Sequence, residues 1–194
     1  ISLKASDEIV YEKRDDDTEW YYLKPLYTAE KNVAERIYMM NRSKNMKYIK
    51  DFEKELLKQE KSLDIILSEK QKEALIGVNE NNVSIITGGP GTGKTTIIKS
   101  LIDIYKSQKK KVVLCAPTGR AAKKMSEATG EDAKTIHRLL EIGKIDDDKL
   151  ANIDADFSPI DADVIVIDEM SMVDIFLMNY LTKAIYLGTK LVLV

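Results

Sequence analysis

The chain has 194 residues, 44% of them hydrophobic and 32% charged, which is enough apolar material for one packed domain and excludes a disordered chain. A net charge of −2 gives no global nucleic-acid signature, although a narrow basic track can still bind phosphates. The single Cys115 excludes an internal disulfide and fits a reducing, cytoplasmic setting. No stretch approaches the roughly 18 apolar residues of a membrane span, and the N-terminus does not read as a signal peptide. Opening on Ile1 and stopping inside LVLV, the chain reads as a fragment of something longer.

Residues Ile1 to Lys24 read as a β-hairpin, with EIVYEK and EWYYLK as arms and a charged turn between them. Trp20, Tyr21 and Tyr22 offer a base-stacking platform for a single strand, but such residues more often serve core and cross-strand packing, and that reading is preferred. Pro25 ends the second arm. Thr28 is the expected cap of a helix over Ala29–Asn41 with Val33, Ala34, Ile37 and Met40 on one face, and a second helix is expected over Met46–Lys61 with Ile49, Phe52, Leu56 and Leu57 inward. Residues 1–62 are thus expected to form a small α+β lead-in, and 63–194 an α/β domain in which strands alternate with helices.

Ser68 opens a short helix with Gln71 three residues on. That spacing is a capping box, with Gln71 bonding back to the backbone; the competing reading sends Gln71 to the adenine edge of a bound nucleotide. The strand Val83–Thr87 then runs into GGPGTGKTT and a helix over Thr95–Lys106. This is the G-x-x-x-x-G-K-[ST] phosphate loop in the strand–loop–helix context it requires. Of the nucleotide-binding positions Gly89, Pro90, Gly91, Thr92 and Gly93, the glycines let successive N–H groups curl around phosphate oxygens; Lys94 reaches the outer phosphates, the Thr95 hydroxyl ligates Mg²⁺, and Thr96 is the last nucleotide-binding position. A buried strand, Lys111–Ala116, turns at Pro117, Thr118 and Gly119 into a helix carrying Arg120, Lys123 and Lys124. A short helix over Thr135–Glu141 holds His137, the only histidine, which argues against a metal site beyond Mg²⁺ and against Ser-His-Asp chemistry. The acidic stretch Gly143–Ala162 reads as a surface insertion or small hairpin with no role assigned.

The strand Val164–Ile167 ends at Asp168 and Glu169. Acids at the carboxyl end of a parallel strand are the partners a phosphate loop needs, with Asp168 holding Mg²⁺ and Glu169 activating the attacking water. The bland alternative is that they merely favour the N-terminus of a helix over Val173–Ile185, which Ser171 and Asp174 also suit as caps. A last strand covers Lys190–Val194.

Taken together, these segments resemble the RecD-like DNA helicases of superfamily 1B, the exodeoxyribonuclease V alpha-subunit family. GGPGTGKTT looks like their motif I, APTGRAAKKM at Ala116–Met125 their motif Ia, TIHRLL at Thr135–Leu140 the element after it, and DEMSMVD at Asp168–Asp174 their motif II. LSEKQKEAL at Leu67–Leu75 resembles their Q motif, which tips Gln71 towards adenine contact, and YLKPLYTAEKNVAERI resembles the segment preceding their motor. Pif1-type helicases and conjugative relaxase-helicases share parts of the pattern. The resemblance implies a RecA-like P-loop NTPase fold, ATP and Mg²⁺ as cofactors, and a 5′-to-3′ motor on single-stranded DNA. It also implies DNA contacts at Pro117, Thr118, Gly119, Arg120, Thr135 and His137, and nuclease or repair proteins as partners, with no membrane. Motif III, the second RecA-like domain and the arginine finger are not in this sequence. An arginine finger is worth about 10³–10⁵ in rate, so slow hydrolysis and no unwinding are expected of this stretch alone. A nucleotide-binding subunit without motor work, and a phosphate-loop ATPase without nucleic acid, are the alternatives.

Overall fold

The computed structural model describes residues 7–45, 47–142 and 157–194. Among them five strands form one parallel sheet in the order β3 (Val83–Ile85), β7 (Lys190–Leu193), β6 (Val164–Ile167), β4 (Val112–Ala116) and β5 (Ala133–Thr135). Parallel strands need crossover connections, and helices provide them: α4 (Lys94–Ser107), α5 (Gly119–Thr129) and α7 (Ile175–Ala184) each carry the chain between strands. All strands run the same way, so the loops after β3, β4, β5 and β6 leave from one edge of the sheet.

The runs VIVI and KLVL are buried throughout, and their side chains alternate between two cores. Ile165, Ile167, Leu191 and Leu193 point into one, with α1 (Lys24–Asn41), α6 (Ile136–Leu139) and α7; Val164, Val166 and Val192 point into the other, with α2 (Phe52–Leu63), α3 (Glu69–Glu80), α4 and α5. Continuous β-branched strands are therefore legible as a sheet covered on both faces. The lead-in helices take part in this: Val33 and Met40 of α1 belong to the first core, Phe52 and Leu56 of α2 to the second. Each buried aliphatic side chain contributes about 1.5–3 kcal/mol. Before these helices, β1 (Ile9–Lys13) and β2 (Glu19–Leu23) form the expected antiparallel hairpin. Its aromatics pack across strands, Tyr11 on Tyr21 at 5.4 Å, but Trp20 and Tyr21 stay 43% exposed, so they are not core residues.

Two polar anchors, one fully buried and one half-buried, tie the layers. The fully buried Lys190 Nζ donates to the carbonyls of Val78, Asn79 and Asn81 at 2.9, 2.8 and 2.7 Å, satisfying the carbonyl end of α3. Arg36 of α1 donates Nε to the Thr182 carbonyl at 3.0 Å and a second nitrogen to the Ile185 carbonyl, doing the same for α7.

Several expected boundaries are corrected. The helix α1 begins at Lys24 with Pro25 in its first turn, where a missing N–H costs nothing; Thr28 is not its cap, and its hydroxyl donates to the Lys24 carbonyl at 2.9 Å. Ala34 is exposed on that helix. α2 starts only at Phe52, because Ile49 is held outside helical geometry: the Asn79 side chain accepts its N–H at 2.9 Å and donates to its carbonyl at 3.0 Å, and Asp51 is left-handed at φ 53°. Met46 lies outside the described residues, and Leu57 faces solvent. The short edge strand β5 was not expected; three residues pairing with Leu114–Ala116 carry no periodicity to read. Of the stretch 143–162, residues 143–156 lie outside the described part. Of the remainder, Ser158, Pro159 and Asp161 are exposed as expected, but Phe157 and Ile160 are buried in the first core.

Candidate nucleotide site and its flanking loops

Everything chemical in this molecule collects where β3, β4, β5 and β6 end. After β3 the chain crosses Ile86–Gly93 and enters α4 at Lys94. Gly91 and Gly93 stand at φ 77° and 86°, a left-handed backbone that side-chain-bearing residues adopt with difficulty. At Gly93 a Cβ would also lie 2.3 Å from Gln71 Nε2 and push that side chain aside. The helices α3, α5, α6 and α7 are each capped by a side-chain oxygen, whereas α4, like α1 and α2, has none. The first-turn N–H groups of α4 thus face the loop without a side-chain acceptor, the arrangement that favours an anion. Lys94 Nζ meanwhile donates to the Gly88 carbonyl at 2.5 Å and leans on Gly89 at 3.5 Å, and Thr92 Oγ1 donates to the Gly89 carbonyl at 2.9 Å.

Asp168 and Glu169 follow β6 directly. Asp168 N–H bonds the Cys115 carbonyl at 3.0 Å and Met170 N–H the Val194 carbonyl at 2.9 Å, so the acidic pair is pinned between strands β4 and β7. Asp168 Oδ1 accepts the Glu169 N–H at 2.9 Å. Glu169 sits at φ 56°, a left-handed conformation worth about 1–2 kcal/mol of strain in an L-residue. A 3-10 turn, Met170–Met172, follows, and α7 starts only at Ile175 with Asp174 Oδ1 accepting the Leu177 N–H at 2.9 Å. The acids therefore lie outside the first turn of α7, and Asp174 does the capping that the bland reading gave them.

Gly88–Gly91, Lys94, Thr95, Asp168 and Glu169 share the wall of one cleft of about 390 Å³. The cleft is also lined by α5, missed at the sequence level, through Lys124, Met125, Ala128 and Thr129. The signal was present as the i, i+4 spacing of Lys124 with Ala128 and Met125 with Thr129, but nothing in the sequence says which partner that face meets. A second hollow lined by Ile86, Gly88, Lys94, Asp168, Glu169 and Ser171 adjoins it on the β7 side. Thr96 stands half-buried in the first turn of α4.

Gln71 completes the expected capping box and also reaches the phosphate loop. Its Oε1 accepts the Ser68 N–H at 2.9 Å while Ser68 Oγ accepts the Gln71 N–H at 3.3 Å, completing the capping box, and its Nε2 points at the Thr92 carbonyl at 3.4 Å. Thr118 Oγ1 accepts the Ala121 N–H at 3.2 Å and caps α5; Thr135 Oγ1 accepts the Arg138 N–H at 3.1 Å and caps α6. Because Ala116 pairs with Thr135 in register, the Pro117–Arg120 turn and the Thr135–His137 turn emerge side by side. Gly119, Arg120, His137 and Arg138 are exposed there, and Pro117 half-buried. Cys115, behind this edge, is buried and its thiol is pushed up to about 12 by desolvation, which removes it as a nucleophile.

Among the described residues no helix is long and apolar enough to cross a membrane, and no group of His, Cys, Asp and Glu forms a metal cluster. A family described as an AAA domain matches residues 71–194. The ATP-dependent RecD2 DNA helicase of Deinococcus radiodurans is 38% identical over 128 residues, 66% of this chain and 17% of that protein. The RecBCD enzyme subunit RecD of Buchnera aphidicola subsp. Acyrthosiphon pisum is 34% identical over 197 residues, 89% of this chain and 31% of that protein. The chain thus spans less than a third of either relative. Among solved structures, a Pif1 helicase from a study of unwinding at forked double-stranded DNA aligns at 25% identity and a TM-score of 0.47, covering 66% of this chain and 33% of its own.

Proposed function

This chain belongs to the AAA domain family, and from that premise we propose that it is the first motor domain of an ATP-dependent DNA helicase of RecD type, taking Mg²⁺–ATP in the cleft and single-stranded DNA on the exposed turns beside it. The observation that carries this reading is the meeting of the uncapped α4 N-terminus, Lys94, Asp168 and Glu169 in one cleft. The donor set suits the ligand. Backbone N–H groups of the loop and α4 hold phosphate oxygens, and Lys94 exchanges its neutral carbonyl partners for charged ones, which bind an ammonium more strongly. Thr95 and Asp168 are the residues to hold Mg²⁺, whose chemistry is to withdraw charge from the phosphate oxygens. Glu169 orients the attacking water and accepts its proton.

Pro117, Thr118, Gly119, Arg120, Thr135 and His137 make the DNA face. Paired turns with N–H groups and exposed cations suit a phosphodiester backbone and leave base sequence unread. For the whole protein we propose 5′-to-3′ translocation, cytoplasmic location, and nuclease or repair proteins as partners. The similarity to a RecBCD subunit supports a second reading, a nucleotide-binding subunit of a nuclease assembly. DNA-stimulated ATP hydrolysis by the full-length protein alone favours the motor over the subunit.

The first test is binding of a non-hydrolysable ATP analogue with Mg²⁺ by this chain, beside Lys94→Ala. Loss of charged hydrogen bonds predicts an affinity about 10–100-fold lower in the variant. Its thermal stability should be unchanged, since Lys94 bonds only its own loop. Equal affinity in both proteins refutes the assignment.

A further inference from the structure

The nucleotide cleft is lined by two acidic side chains, Asp168 and Glu169, and by two lysines from different elements. Lys94 comes from the phosphate loop and is bonded to the Gly88 carbonyl. Lys124 comes from α5. Its neighbour Lys123 lies 3.8 Å from a Glu127 carboxylate, but among the described residues Lys124 has neither an ion pair nor a hydrogen bond. A solvated lysine on a helix is ordinary; one that lines an acid-bearing cleft without taking up either acid is not.

We infer that Lys124 is a second phosphate-binding cation of the cleft, one that distinguishes a nucleoside triphosphate from a diphosphate. This rests on the nucleotide reading above. The two nucleotides differ by the terminal phosphoryl group, and Asp168 and Glu169, which serve the metal and the water, have to face that group. Their negative charge opposes its approach. A second lysine lining the cleft offsets that repulsion in addition to Lys94. The placement has a mechanical consequence. Lys124 rides on the same 11-residue helix whose first residues, Gly119 and Arg120, belong to the proposed DNA face. Roughly 6–8 Å of helix axis separates them, at 1.5 Å per residue, so a pull on Lys124 by the terminal phosphate is a pull on the DNA-facing turn.

The test compares the affinity of this chain for a non-hydrolysable ATP analogue and for ADP, both with Mg²⁺, in wild type, Lys124→Ala, Lys124→Arg and Lys99→Ala. Lys99 is an exposed residue of α4 outside the cleft and controls for the loss of one positive charge. Expected are a loss of about tenfold for the ATP analogue and less than twofold for ADP in Lys124→Ala, near-complete rescue by Lys124→Arg, and no change in Lys99→Ala. Thermal midpoints are measured for all four, and because Lys124 is exposed they should coincide. Equal weakening of both nucleotides, or no weakening, overturns the inference while leaving the nucleotide reading intact; a wild type that binds neither nucleotide overturns both.

Discussion

Gln71 Nε2 lies 3.4 Å from the Thr92 carbonyl while Gln71 Oε1 accepts the Ser68 N–H, so one side chain joins the start of α3 to the phosphate loop. The amide group, with an acceptor at one end and donors at the other, completes the cap and touches the loop at once.

Replacing Gln71 by Ala removes half of the capping box and the tether to the loop. The chain should lose about 0.5–1 kcal/mol of stability in urea denaturation. Preference for ATP over GTP should fall in a competition binding assay; a variant that keeps it assigns Gln71 to the cap alone.

Glu169 combines a left-handed backbone with a place in the cleft. Glu169→Gly relieves strain of about 1–2 kcal/mol, partly offset by the greater freedom of glycine in the unfolded chain. The variant should therefore unfold about 0.5–1 kcal/mol later than wild type while the ATP hydrolysis of the full-length protein disappears, a trade of stability for function. Glu169→Gln, which keeps the strain, should lose hydrolysis with unchanged stability. Denaturation curves alongside phosphate release check both.

Lys190 gives a pH dependence. Burial lowers its ammonium from the ordinary 10.5 to about 8, even though the three carbonyls around it favour the charged form. Below about pH 8 both folded and unfolded chains carry the proton and the burial penalty is present in full. Between about 8 and 10.5 the unfolded chain binds more protons than the folded one, so this group's contribution to stability rises with pH. The rise amounts to a few kcal/mol at most, at about 1.4 kcal/mol per pH unit. Urea denaturation at pH 7.5 and 9.5 should show it in wild type and not in Lys190→Met.

How far the sequence reaches can be judged residue by residue. The phosphate loop, the buried strands, and the acids after Val164–Ile167 were legible because each is a local pattern: glycines before Lys94, unbroken β-branched runs, charge at a strand end. The capping roles of Ser68 and Asp174 were also local, an oxygen three residues ahead of an N–H. What failed was whatever a distant partner decides. Asn79, 30 residues away, takes both backbone groups of Ile49 and so delays α2 to Phe52. Phe157 and Ile160, inside an acidic stretch, are buried because the first core has room for them. Only the strand order β3-β7-β6-β4-β5 sets the turn after Ala116 beside the turn after Thr135, and only the docking of α5 brings Lys124 into the same cleft as Lys94. By itself the sequence determined the chemistry available to this protein, since residue type and short spacing carry it. Which of those groups meet was decided by the tertiary structure, because sheet order and helix docking follow from burial summed over the whole chain, a quantity no short segment contains.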